Sequence, residues 1–293
     1  MLLPRFLTGL IGIPIVLLVI WLGNLPFAFA IYTVTLLCLW EFYALWQDVG
    51  FSPGKVFGLI FGSVMYVLIY TESAVIGKVY EKAVVSGKFT AAAGRILNDP
   101  LPIDAVMLIF FLGVAVYLIW KLFRQPKETT YIDIMITFWG VIYVVWLLSH
   151  LVMLRELRPL GQQYTFMLFL TIWIGDTAAY AAGVTFGKIY AFPRVSPHKT
   201  LEGGIAGVLA SIIVVWLFNI FIIRGLSIVN IISIALIISV AGFFGDLTES
   251  FFKRQVGVKD SSALLPGHGG MLDRFDSLMF AGPLLYYYLK LFL

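Results

Sequence analysis

Residues 205–223 read IAGVLASIIVVWLFNIFII, nineteen positions without one charged side chain. As a helix at 1.5 Å per residue this run is about 28 Å long, the thickness of a bilayer's hydrocarbon core. A transmembrane β-barrel instead shows short segments of alternating polarity, so an unbroken run of this length excludes one. Outward from it the chain keeps the same character. Of 293 residues, 61% are hydrophobic and 12% charged, against roughly 45–50% and about 25% in a soluble protein. At roughly 20 residues per span, that apolar stock supplies about nine transmembrane helices. Disorder is excluded by the aromatic content, and a disulfide scaffold by the single cysteine, Cys38. The fold class expected is all-α, a polytopic integral membrane protein with about nine transmembrane helices and a cytoplasmic N-terminus.

The spans fall near 6–22, 25–46, 55–71, 104–123, 131–154, 164–187, 205–223, 227–252 and 277–293. The first follows Arg5 and precedes Ala28-Phe29-Ala30, as a secretory signal would. Its apolar run is long for a signal core and leads directly into more apolar sequence, so it reads as a retained helix. Five spans make an N-terminal membrane region, 1–160. The remaining four, with their loops, make a C-terminal region, 161–293, that carries the chemistry. In this arrangement one side holds twelve of the Lys and Arg residues, among them Arg5, Lys55, Lys121, Lys199, Lys253 and Arg274, and the other holds eight. The richer side is cytoplasmic by the positive-inside rule. The loop from Glu72 to Ile103 is the longest, carries both charge signs and is expected on the far side as a short surface helix and coil.

Ionisable residues inside a membrane segment are costly and mark function by default. Glu41, in the second span between Trp40 and Trp46, is expected near a helix end. The others gather late in the chain. Asp176 and Tyr180, four apart, share a face of the sixth span. The loop after it, Pro193-Arg194-Val195-Ser196-Pro197-His198-Lys199-Thr200, supplies donors suited to an anion. A second cluster is richer. Asp246, Glu249, Ser250 and Lys253 lie at i, i+3, i+4 and i+7, one helical stripe at the end of the eighth span. Lys259 and Asp260 follow, then Pro266-Gly267-His268-Gly269-Gly270, then Asp273, Arg274 and Asp276.

Hard divalent cations such as magnesium take carboxylate oxygens, with substrate phosphates and water completing the shell. Lys253, Arg254, Lys259 and Arg274 beside those carboxylates would repel one another unless a polyanion lay between them. A basic patch for anionic lipid headgroups would explain the cations but not the interleaved acids. The glycines around His268 let backbone approach a ligand. Ser86-Gly87-Lys88 only imitates a P-loop, because Lys82 stands where its first glycine belongs and Phe89 follows the lysine. The pairs Gly58/Gly62, Gly183/Gly187 and Gly203/Gly207 have small-residue packing spacing, which serves close helix contact within one chain or a homodimer seam.

The run from Ser250 through Phe252-Lys253-Arg254, Lys259-Asp260 and Pro266-Gly267-His268-Gly269-Gly270 to Asp273-Arg274-Phe275-Asp276 resembles, without a gap, the signature of the phosphatidate cytidylyltransferase (CDP-diacylglycerol synthase) family. The Asp176 segment and Ser196-Pro197-His198-Lys199 resemble a second region of that family. The resemblance is specific over roughly 170–290 and generic before residue 160. It implies magnesium-dependent attack of phosphatidate on the α-phosphorus of CTP, giving CDP-diacylglycerol and pyrophosphate, with no nucleic-acid partner, in the cell membrane. It further implies catalytic roles for Asp246, Ser250, Lys253, Arg254, Lys259, His268, Asp273, Arg274 and Asp276. Among these, Asp246, Asp273 and Asp276 are expected to hold Mg2+, with carboxylates enough for a second metal ion. Substrate binding is expected of Asp176, Ser196, His198, Lys199, Gly269 and Gly270. The long 72–103 loop departs from a compact family member. Two other readings remain at this point, a CTP-dependent lipid or polyprenol kinase and a transporter of anionic solutes.

Overall fold

A computed structural model describes residues 2–86, 103–123, 130–193, 195–262, 264 and 269–293. Its helices are α1 (Leu2–Leu22), α2 (Asn24–Asp48), α3 (Lys55–Ser86), α4 (Ile103–Leu122), α5 (Thr130–Glu156), α6 (Gly161–Phe186), α7 (Leu201–Ile223), α8 (Ile228–Gln255) and α9 (Leu272–Phe292). Each expected span falls on one of these helices. Six of them (α2, α3 over Lys55–Val75, α5, α6, α7 and α8) are long and apolar enough to cross a bilayer, and α1 and α4 carry shorter apolar stretches, Gly9–Leu22 and Val106–Leu122. The protein is all-α and of membrane type.

The described chain divides into two compact units, one of residues 24–159 and one that joins residues 1–23 to residues 160–293. In the first unit, aromatic rings fill the space between helices. Tyr117 stacks on Phe57 at 4.4 Å between centroids and meets Phe138 edge-on at 5.6 Å. The α5 helix widens to a π-turn over Val141–Trp146. Where the sequence was expected to hold no ionisable residue besides Glu41, α5 buries Asp133, His150, Arg155 and Glu156. Asp133 is tolerated because its Oδ1 accepts the Ser52 N–H at 2.7 Å, and Thr137, one turn on, accepts the Gly54 N–H at 2.8 Å. The Asp133 carboxylate and the Thr137 hydroxyl thus each accept one backbone N–H of the loop between α2 and α3. Glu41 also differs from expectation: it lies nearly two turns inside α2 and is 3% exposed. Helix α3 continues past the expected end of its span to Ser86, while residues 87–102 of the long loop lie outside the described residues.

In the second unit α7 shows an inverted amphipathicity. Its exposed stripe is Ile205, Leu209, Ile213 and Trp216, each at least 50% exposed, while Gly203, Gly207 and Ser211 face inward. Large apolar side chains outside and small ones inside is the pattern of a helix solvated by lipid. Gly203 and Gly207 draw α7 against α6. A Cβ on Gly203 would lie 2.7 Å from the Ala179 carbonyl oxygen, and one on Gly207 would lie 3.3 Å from that of Gly175. Gly58 and Gly62 likewise press on Tyr43, Leu39 and Val145 of their own chain. The Gly203→Val variant is therefore expected to lose about 1–3 kcal/mol of stability by overpacking, read as a lower melting temperature in detergent; an unchanged melting curve would show that this contact is slack.

Between α6 and α7 the expected loop is an antiparallel hairpin, β1 (Tyr190–Phe192) and β2 (Ser196–Thr200), pairing Tyr190 with Thr200 and Phe192 with Ser196. Thr200 then caps α7, its Oγ1 accepting the Gly203 N–H at 3.2 Å. The hairpin delivers Lys199 to the end of α8.

Candidate active site

The site is assembled where α8 meets α9. Gly245 makes the meeting possible, since a Cβ there would run into the backbone carbonyl oxygen of Asp276. With no side chain between them, the α8 stripe and the first turn of α9 bring Asp246, Glu249 and Asp276 together, one oxygen from each lying within 4.8 Å of the others. Glu249 is 1% exposed and Asp276 is 9% exposed. The Lys253 ammonium lies 2.8 Å from Glu249 Oε2; apart from that ion pair, neither Glu249 oxygen has a hydrogen-bond partner among the described residues. Such a group costs free energy unless something else meets it.

Asp273 is in the opposite situation. Its Oδ1 meets Lys253 Nζ at 2.5 Å, and its Oδ2 accepts from Ser261 N at 3.0 Å, Ser261 Oγ at 3.0 Å and Gly270 N at 2.7 Å. Gly269, at φ +81°, leads the chain into this arrangement, and a Cβ on it would press 2.6 Å from Asp273 Oδ2. Asp273 therefore ties the segment after α8 to the start of α9, and Lys253 bridges it to Glu249.

Asp246 is held on both oxygens. Oδ2 pairs with Lys199 Nζ at 2.6 Å, and Oδ1 accepts a 3.3 Å hydrogen bond from Ser250. The Lys199 ammonium also sits over the Phe243 ring, 4.5 Å from its centroid. Asp176, from α6, interacts electrostatically with Asp246, Lys199 and Asp276. The five carboxyl groups of Asp176, Asp246, Glu249, Asp273 and Asp276 thus gather around the two ammonium groups of Lys199 and Lys253, an oxygen-rich cluster suited to a hard cation.

Arg254 leans outward, hydrogen bonded to the carbonyls of Val195 in the hairpin and Val258. Lys259 and Arg274 are exposed. Ser196 and His198 lie on β2, where strand alternation puts both on the side opposite Lys199. Gly270 is buried and contributes its N–H to Asp273. His268, together with 265–267, lies outside the described residues, as does Arg194.

Two residues of this network, Glu249 and Ser261, were not among the expected site residues. Glu249 stands on the same stripe as Asp246 and Lys253, which was sufficient signal. Ser261 carried none, because its role depends on a chain reversal that places it against Asp273.

Comparison with known proteins bears on this geometry. The phosphatidate cytidylyltransferase of Bacillus subtilis (strain 168) is 31% identical over 289 residues, 98% of this chain and 97% of that one. That of Staphylococcus saprophyticus is 47% identical over 132 residues, and that of Staphylococcus epidermidis is 46% identical over 130. These two alignments cover 45% and 44% of this chain, and span about half the length of the staphylococcal relatives, 51% and 50%. The model of the cytidylyltransferase family matches residues 3–292. A match that runs nearly from end to end takes in the apolar helices as well as the acidic pocket, and the chain belongs to the cytidylyltransferase family.

Proposed function

We propose that this protein is a phosphatidate cytidylyltransferase of a bacterial cell membrane, acting on CTP and phosphatidate with a divalent cation, and that its active site faces the cytoplasm. The observation that carries the reading is Glu249, a buried carboxyl group whose Oε2 is paired with Lys253 and whose Oε1 has no hydrogen-bond partner among the described residues, grouped with Asp246 and Asp276 toward the end of an apolar helix. The three oxygens fit a hard cation such as Mg2+, and these residues rather than the donor-saturated Asp273 would hold it. When bound, the cation supplies Lewis-acid screening of phosphate charge.

The remaining chemistry belongs to the chain. An oxygen of the phosphatidate phosphate forms a bond to the α-phosphorus of CTP, and the bond from that phosphorus to the α–β bridging oxygen breaks, releasing pyrophosphate. The attacking oxygen is already anionic near pH 7, so no strong base is needed and the protein's work is alignment and charge neutralisation. Lys199, Arg254 and Arg274 would bind phosphates, and Lys259 and His268 join them on the sequence resemblance. Lys253 neutralises Glu249 and Asp273 and keeps their helices in register. Asp176 extends the carboxyl cluster from α6. In this reading the chemistry resides in 161–293, while 1–160 is membrane body. The excess of basic residues on the hairpin side supports the cytoplasmic orientation.

The test is to incubate the purified protein in detergent with phosphatidate, Mg2+ and each labelled nucleoside triphosphate in turn. A liponucleotide formed from CTP alone, with equimolar pyrophosphate, is the expected outcome. CDP released in place of pyrophosphate would instead mark γ-phosphoryl transfer, and counterflow of unmodified solute in vesicles would mark a transporter.

A further inference from the structure

The two lysines in the acidic pocket are held very differently. Lys253 rises from within α8, is 11% exposed, and is clamped between two carboxylates on α8 and α9. Lys199 comes from outside the helices, on a hairpin with strands of three and five residues, and among the described residues forms one ion pair, with Asp246. Two-stranded ribbons of that size are marginal on their own. The Lys199–Asp246 pair is partly solvated, with side chains 21% and 38% exposed. Yet it sits on an oxygen of one of the three residues that converge for a cation, while Ser250 holds the other oxygen. A monovalent ammonium and a divalent ion cannot both claim Asp246 without strong repulsion between them. Glu249, a member of the same cluster, is 1% exposed; its Oε2 is paired with Lys253, and its Oε1 has no hydrogen-bond partner among the described residues, which leaves an oxygen for a further cation.

We propose that Lys199 is a stand-in cation for Asp246 which an arriving divalent ion displaces, and that the displaced ammonium, carried on its hairpin, then binds a substrate phosphate. The proposal rests on the carboxylate site described above and adds an order to it: metal first, phosphate second. Arg254 would move with the hairpin's environment, since it is bonded to the Val195 carbonyl in the same turn. Until the ion arrives the phosphate ligand is withheld, so a phosphate group bound without metal would find its lysine engaged.

Mn2+ binding to the detergent-purified full chain, followed without nucleotide by the electron paramagnetic resonance of the free ion, tests the first half. Lys199→Met removes the competitor and is expected to tighten Mn2+ binding by about fivefold, the scale of a partly exposed ion pair. Lys188→Met, which removes an exposed charge beside the hairpin without touching Asp246, is expected to stay within about twofold of the unmodified protein, and Lys199→Arg to resemble it. Amide hydrogen exchange of 190–200 should quicken when Mn2+ is added to the unmodified protein and be insensitive to it in Lys199→Met. With Mn2+ saturating, Lys199→Met should bind CTP or a short-chain phosphatidate more weakly, and the ligand that weakens names the phosphate. A purely structural lysine would give weaker, not tighter, metal binding when removed. Equal Mn2+ affinity in Lys199→Met and Lys188→Met, or exchange that ignores Mn2+, overturns the displacement. Asp246→Asn separates the two levels: if it keeps full Mn2+ affinity, the carboxylate site itself falls, and if it loses affinity while Lys199→Met behaves like Lys188→Met, only the displacement falls.

Discussion

Asp246→Asn should lower the rate of liponucleotide formation by about 10³-fold, the order of loss when one preorganised electrostatic contact is taken from developing charge. The substitution preserves shape and keeps a hydrogen-bonding oxygen for Ser250, but it removes the charge shared by Lys199 and the grouped carboxylates. Asp246 is partly exposed, so the folded protein loses little, and the variant should purify with an unchanged melting temperature. The loss should appear in turnover at saturating CTP and phosphatidate. Full activity in this variant would remove Asp246 from the reaction and with it the proposed cation site.

Lys253→Met should have the largest effect on stability. Methionine fills much of the same volume but leaves Glu249 and Asp273 buried without the ammonium that joins them. Removing one partner of a buried ion pair costs about 3–5 kcal/mol, because the remaining charge has nowhere to go. A large fall in melting temperature is expected, together with loss of turnover. The double variant Lys253→Met/Glu249→Gln carries one buried charge fewer and should regain part of the stability, a coupling read from the double-mutant cycle. If the double variant is no more stable than Lys253→Met alone, Glu249 is not the residue that Lys253 neutralises.

Much of this was readable in advance, for reasons that differ by element. A helix such as α7 announces itself because lipid rewards apolar length without demanding a partner. The stripe Asp246, Glu249, Ser250, Lys253 was legible because i, i+3, i+4 and i+7 share a helix face whatever surrounds them. Asp133 was not legible, since its carboxylate is satisfied by the Ser52 N–H, a donor 81 residues away that hydropathy cannot reveal. The hairpin was hidden for a similar reason: five residues that include Pro197 carry little strand signal, and their pairing follows from how α6 and α7 are joined. How Asp273 is held was not legible either, because a carboxylate's type can be read in sequence while the number of donors it has already accepted cannot. Glu249 was visible on the stripe, but its burial came only from the approach of α9.

The spacing of α8 and α9 depends on what Gly245 lacks. The gap across which Asp246 and Glu249 face Asp276 is set by backbone touching backbone at a residue that offers no ligand. Magnesium tolerates little departure from a tight octahedron, whereas calcium accepts longer bonds and more ligands. A methyl group at position 245 would push the two helices apart and widen the spacing among Asp246, Glu249 and Asp276. The spacing of the three carboxyl groups thus depends on a residue with no side chain, one position before Asp246.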